Sequence, residues 1–273
     1  MDGEDKFSQR IDINDTENIP AKTLHFVGLM LFRDDGGTKN YAEAAKWFSR
    51  AAGREFKRRK LTDQERTSIF MQSLLNHRMV NFNNEDPVDL DSYGNQCIAS
   101  SQYYLGFMYL RGLGVKQDHG ESVKWLSKAA EFGHEEAEYL LGLAYSSGLG
   151  IGQDFEEAAK WFRKAAEQGN AEAQNALGDA CSSGQGIGQD YEEAAEWYRK
   201  SAEQGVAAAQ KSLGDLYNDG KGVEQDQSEA AKWYMKAAKQ GNTEARDRLQ
   251  EIFGDLPKKN LVHRLRSGAL SDM

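Results

Sequence analysis

Between Ser101 and Gly241 the apolar positions follow two superposed rhythms. Within stretches of about a dozen residues they fall three and four apart, the spacing of one face of an α-helix. Over longer distances the pattern recurs every 36 residues: the glycine of a Leu-Gly pair stands at Gly106, Gly142, Gly178 and Gly214. Nineteen positions after each comes a tryptophan, at Trp125, Trp161, Trp197 and Trp233. A fixed period of this length predicts stacked helical hairpins, because one such unit cannot bury its apolar face alone. The expected fold is an all-α solenoid.

Gly169 to Gly205 serves as a worked unit. Gly169-Asn170 closes one helix and opens the next, since glycine accepts the left-handed closing residue and asparagine caps. The first helix carries Ala173, Leu177, Ala180 and Cys181 at helical spacing, and Gly178 permits close approach of a neighbour. Gly184 and Gly186 break it in a short turn. Asp190 opens the second helix with Glu193 three residues on, an acidic version of the capping box; Asp118/Glu121, Asp154/Glu157 and Asp226/Glu229 repeat the pair. The second helix buries Ala194, Trp197, Tyr198 and Ala202; small residues alternating with one large aromatic give tight helix contact and one knob that fills the gap between layers.

The string LGLAYSSGLGIGQDFEEAAKWFRKAAEQGNAEAQ, Leu141 to Gln174, resembles the Sel1-like repeat, a relative of the tetratricopeptide repeat. The resemblance covers Ser101 to Leu249. A weaker copy from Thr23 to Ala52 places Gly28, Asn40/Glu43 and Trp47 in register, with Asp34 and Gly37 replacing the turn glycine and valine. It implies an α/α right-handed superhelical solenoid. The segments are then a polar stretch 1–22, a degenerate repeat 23–53, full repeats 95–133, 134–169, 170–205 and 206–241, a capping helix 242–255 and a basic tail 256–273. Between the first two repeats, 54–94 is an insert or a degenerate repeat. There Thr62/Glu65 opens a helix over about 62–82 with Ile69, Phe70, Leu74 and Met79, Asn83–Tyr93 reads as a loop, and Gly94-Asn95 starts the next, lengthened first helix.

Composition narrows the chemistry. The 273 residues carry 34 Lys/Arg against 43 Asp/Glu, a net charge of −9, which argues against general nucleic-acid binding. Cys97 and Cys181 belong to no motif, and Cys181 stands where other repeats have Tyr109, Tyr145 and Tyr217; two inert thiols in a reducing compartment fit this usage. Met1 to Arg10 is polar and mixed in charge, and the apolar run Leu24 to Phe32 is too short to span a bilayer. A cytoplasmic location is the expectation. The histidines, His25, His77, His119, His134 and His263, share no metal-ligand spacing. Each GxG joins two helices rather than a strand and a helix, and paired acids such as Glu156/Glu157 sit where the helix dipole favours them. No enzyme activity, cofactor, metal or small-molecule substrate is therefore expected. Some cysteine-rich relatives, associated with β-lactam binding or hydrolysis, carry paired cysteines in each repeat; this chain has no such pairs.

In related hairpin arrays the first helices line the concave face. Positions −3, +1 and +4 from each key glycine face away from the core there. They read His25, Leu29, Phe32; Tyr103, Phe107, Leu110; Tyr139, Leu143, Ser146; Asn175, Asp179, Ser182; Lys211, Asp215, Asn218. The row runs from aromatic and aliphatic to polar and acidic. Either the 62–82 helix covers its apolar part or a partner does. The partner-binding candidates are Tyr103, Phe107, Leu110, Tyr139, Leu143, Asp179 and Asp215. The basic run Arg54–Lys60 reads as the solvated end of a helix, a nuclear-import signal or a contact for an acidic partner, and Lys258–Arg266 around Leu261, Val262 and Leu265 as a frayed terminus or a short amphipathic helix that docks on a partner or weakly on an acidic surface. The resemblance implies an adaptor or scaffold binding a protein or peptide. A regulatory subunit or weak hydrolase, and a self-associating structural array, are the alternatives.

Overall fold

The computed structural model describes residues 21–33, 40–53 and 90–254, the side chains of 90–95 excepted. The expected 62–82 helix, the Arg54–Lys60 run, the Asp34/Gly37 turn and the 256–273 tail lie outside the described residues. Eleven helices are described: α1 (Ala21–Phe32), α2 (Tyr41–Ala52), α3 (Leu90–Arg111), α4 (His119–Glu131), α5 (Glu135–Ser147), α6 (Phe155–Glu167), α7 (Ala171–Ser183), α8 (Tyr191–Glu203), α9 (Ala207–Asp219), α10 (Gln227–Lys239) and α11 (Thr243–Phe253). The hairpins are α1–α2, α3–α4, α5–α6, α7–α8 and α9–α10, and each second helix packs on the first helix of the next hairpin. Contacts run along the stack rather than around one centre, as a solenoid requires.

The hairpin is set by the key glycine. A methyl group built on Gly142 would fall 2.6 Å from the Phe162 ring, one on Gly178 2.7 Å from Tyr198, and one on Gly214 2.7 Å from Tyr234. Gly28 and Gly106 stand in the same relation to Phe48 and Leu126. The two helices therefore meet at the glycine, with the large side chain of the second helix seated on its bare backbone. That knob lies twenty positions after the glycine, immediately after the tryptophan position; in the worked repeat Trp197 and Tyr198 are both buried, as expected, and Tyr198 is the one seated on the glycine. Phe48, Leu126, Phe162, Tyr198 and Tyr234 are all buried; of the tryptophans, Trp47 and Trp197 are buried and Trp125, Trp161 and Trp233 half-buried. The indoles instead close the outer side of each joint under a lysine one turn on: Lys128, Lys164, Lys200 and Lys236 hold their ammonium groups 4.2, 3.9, 3.9 and 3.6 Å from the ring centres.

The second helices are capped as expected on one side only. Asp118, Asp154, Asp190 and Asp226 are extended and accept hydrogen bonds from the backbone N–H three residues on. The return half of the capping box is absent, because each aspartate N–H donates to a first-helix carbonyl: Tyr109, Tyr145, Cys181 and Tyr217, at 2.9–3.0 Å. The cap thus ties the hairpin together. Glu121, Glu157 and Glu229 pair instead with Lys124, Lys160 and Lys232. Among the first helices Asn170 and Asn242 cap as expected, while His134 and Val206 occupy the same place without a side-chain bond.

A buried amide ladder joins successive repeats. Four residues before each key glycine, Gln174 and Gln210 donate to Ala166 O and Ala202 O of the preceding hairpin at 3.1 and 3.0 Å. They accept in turn from Gln204 and Gln240, at 2.8 and 2.9 Å. Gln102 makes the same bond to Ala52 O, 3.4 Å, across fifty residues of sequence. Helices α2 and α3 thus pack directly on each other with the bond of a repeat joint, and residues 54–89 lie outside the described residues. Helix α3 starts at Leu90 and continues through Gly94-Asn95, which the sequence suggested as a helix start. A glycine inside a helix costs about 1 kcal/mol, and packing against both α1 and α2 offsets it.

Glu138 is the exception in the ladder. It is buried, accepts from Gln168 Nε2 at 2.6 Å, and as a carboxylate has no proton for Ala130 O. Burial holds its carboxyl above the usual range, opposed by the Gln168 bond and the Lys164 charge.

Two outcomes test this geometry. Gly178→Ala should destabilise the chain by about 1–3 kcal/mol in urea melts, despite the better helix propensity of alanine, because Tyr198 must be displaced. Gly152→Ala, in open space, should be nearly silent. Glu138→Gln should stabilise by about 1 kcal/mol at neutral pH by completing the ladder. A raised folded-state pKa means the wild-type residue is favoured when protonated, so its contribution is lost as pH rises through that pKa. The advantage of Glu138→Gln should accordingly widen from acidic to neutral pH.

Candidate functional site

The first helices carry the row of outward positions, and the structure separates its members by environment. Tyr103 is half-buried, its ring stacked on His134 with centres 4.6 Å apart, and burial pushes its hydroxyl up to about 12. Tyr139 is half-buried beside Phe162 at 6.1 Å. Phe107 lies against Phe32 and beneath the Arg111 guanidinium, 6.5 and 5.8 Å away. His25, Phe48 and Tyr104 pack together, and His25 Nδ1 meets Ser101 Oγ at 2.8 Å. Because Ser101 donates its own proton to Cys97 O, His25 Nδ1 must be the donor. Burial first, then Arg33 and His134, push this histidine down to about 4, so it is neutral at physiological pH. These rings belong to the joint between repeats more than to a free surface.

Leu110 and Leu143 have a different setting. Leu110 lines an open cleft of about 450 Å³ with Leu140, Leu143 and Leu149 on one side and His119 and Val123 on the other. One repeat along, a cleft of about 440 Å³ is formed at the equivalent place by Leu143, Phe155, Ala176, Asp179 and Gln185. Leu143 stands on the wall between the two. It is 38 % exposed, Leu149 43 % and Phe155 36 %, the three large apolar side chains left to solvent along this edge. Both clefts open where the C-terminal end of a first helix meets the N-terminal start of the preceding second helix.

Leu149 and Phe155 were missed because they lie just off the first helix, in the turn and at the next helix start. Their signal was available. The residue between the paired turn glycines reads Leu113, Leu149, Gln185, Lys221, the same apolar-to-polar gradient as the helix row.

The polar half of the row is occupied from within. Asp179 accepts from Tyr198 Oη at 2.7 Å and from Asn175 at 3.2 Å. Asp215 accepts from Tyr234 Oη at 2.7 Å, pairs with Lys211 at 2.9 Å and lies 3.6 Å from Arg248. The two aspartates anchor the tyrosine knobs of their own hairpins, and both tyrosines are held above their ordinary pKa by burial and by the neighbouring carboxylate. As recognition groups for a partner they are largely committed.

No group of three or more His, Cys, Asp or Glu that could hold a metal is found among the described residues. Cys181 is buried, and its thiol is raised to about 11 by burial and Glu193. No helix among them is long and apolar enough to cross a membrane.

The family model of the Sel1 repeat matches residues 21–54, 99–134, 135–170, 171–206 and 207–242. The chain belongs to the Sel1 repeat family. Members typically mediate protein–protein interaction and are generally non-enzymatic scaffolds. Among solved structures it is similar to a Sel1 repeat protein from Oxalobacter formigenes, with 28 % identity and a TM-score of 0.64 over 86 % of this chain and 76 % of that one. It is also similar to c5321, a protective antigen present in uropathogenic Escherichia coli strains and displaying the same repeat fold: 32 % identity and a TM-score of 0.55 over 91 % of this chain. The chain spans about half, 51 %, of the length of c5321. No match is found among curated proteins.

Proposed function

We propose that this chain is an interaction scaffold that seats apolar side chains of a partner polypeptide in the two clefts flanking Leu143. The supporting observation is the pair of equivalent clefts one repeat apart, with Leu143, Leu149 and Phe155 left to solvent on their rims. Exposed aliphatic and aromatic side chains beside a concavity are the usual anchors of recognition. Packing within the stack holds the clefts in place, so binding requires little ordering of the scaffold. Among the original candidates, Leu110 and Leu143 are assigned direct contact. Tyr139 packs beside Phe162, which lines one cleft, and Asp179 lines that cleft while holding Tyr198; Tyr103, Phe107 and Asp215 line neither.

Leu143→Asp combined with Leu149→Asp should preserve the helical circular dichroism and melting temperature while weakening partner binding by about 2 kcal/mol, roughly thirty-fold. Affinity capture from cells that express the chain, with wild type beside this double variant, reads the difference as lost bands. Undiminished capture by a folded double variant would refute the assignment.

A further inference from the structure

Resting on that reading, we infer that the two clefts also receive a segment of the same chain, the basic stretch Leu256–Arg266 that follows α11. Three observations converge on it. The first is where the described chain ends. Helix α11 runs alongside α9, with Arg248 3.6 Å from Asp215, and it finishes at Phe253 on the loop-bearing end of the rod. Both clefts open at this same end.

The second is reach. The way from α11 to α7 and α5 crosses two and three first helices, about 20 and 30 Å at ordinary interhelical distances. Leu261 and Leu265 stand seven and eleven residues beyond Gly254, about 23 and 36 Å of extended chain. Leu261, Val262 and Leu265 therefore come within range of Asp179 and Leu143.

The third is charge. The edge between α11 and the clefts is acidic, because every second helix opens there with its cap and first-turn carboxylates: exposed Asp226, Asp190, Glu192, Asp154 and Glu156. Lys221, the cation in the last loop, is taken by Asp219 at 2.9 Å. The segment brings Lys258, Lys259, Arg264 and Arg266 around its aliphatic residues. A basic, leucine-bearing stretch thus matches an acidic edge leading to apolar clefts, and it would compete with an external partner for Leu143 and Leu149.

The test uses the full chain with a nitroxide spin label on Ser267→Cys; Cys97 and Cys181 are buried and resist labelling. Docking predicts paramagnetic loss of the Leu143, Leu149 and Leu110 methyl signals. The loss should be reversed by Leu261→Asp/Leu265→Asp. It should also diminish at 1 M salt, where the Debye length falls from about 10 Å to about 3 Å. Full methyl intensity with the label in place, or loss confined to α11, would overturn docking. So would a loss seen only when label and observed methyls are on different chains, which would indicate a second copy. If docking fails while Leu143→Asp/Leu149→Asp still abolishes partner capture, the scaffold reading stands without it. If docking succeeds and capture is unaffected, the clefts serve the chain's own segment alone.

Discussion

The bare backbone of one glycine per repeat, lying under a large side chain of the facing helix, is the contact on which this structure depends. A knob this close admits no β-carbon, so the hairpin has one depth of approach. Burying a side chain such as Phe162 or Tyr198 is worth about 1.5–3 kcal/mol, repeated at each hairpin. The remaining polar bonds follow from that depth. Only with the helices this near can Asp190 N–H reach Cys181 O within the hairpin, while the bond from Gln174 to Ala166 O ties that hairpin to the one before. Stability is consequently distributed along the rod as hairpin and joint contributions.

The same constraint explains the surface. Because the first helix packs at its glycine, positions on its other side are free to vary between repeats, and here they vary in one direction. In the N-terminal half they are aromatic and become part of the joints around Phe48 and Tyr104. In the middle, Leu143 remains exposed between two clefts. Towards the C-terminus Asp179 and Asp215 turn inward to hold Tyr198 and Tyr234. The gradient in the row is therefore partly a gradient in what each repeat needs to close itself.

Periodicity made the helices, their turns and the aspartate caps legible, since each is a local property recurring in register. The identity of the knob was less so. Trp and the following residue recur with the same period, and only the contact with the bare glycine backbone separates them: the following residue makes it, while the indole is buried in two repeats and half-buried in three, with a lysine ammonium over its face in four. The glutamine ladder had a visible signal in Gln174 and Gln210, yet polar residues on an apolar face are ordinarily read as solvent-facing. Only contact with the carbonyl of a preceding repeat reveals them as buried. Likewise, no spacing rule shows that Asp179 already has a partner nineteen residues away, or that Leu149 in a turn shares a wall with Leu143.

Hydrogen exchange resolved to single amides in the wild-type chain is the most direct measurement of the central claim. The account predicts that in each repeat the slowest amides lie around Gly142, Gly178 and Gly214 and beside Phe162, Tyr198 and Tyr234, with protection declining towards α11, where no further repeat is stacked in the described chain. Fast exchange at those glycines, with protection concentrated under the tryptophans instead, would contradict it.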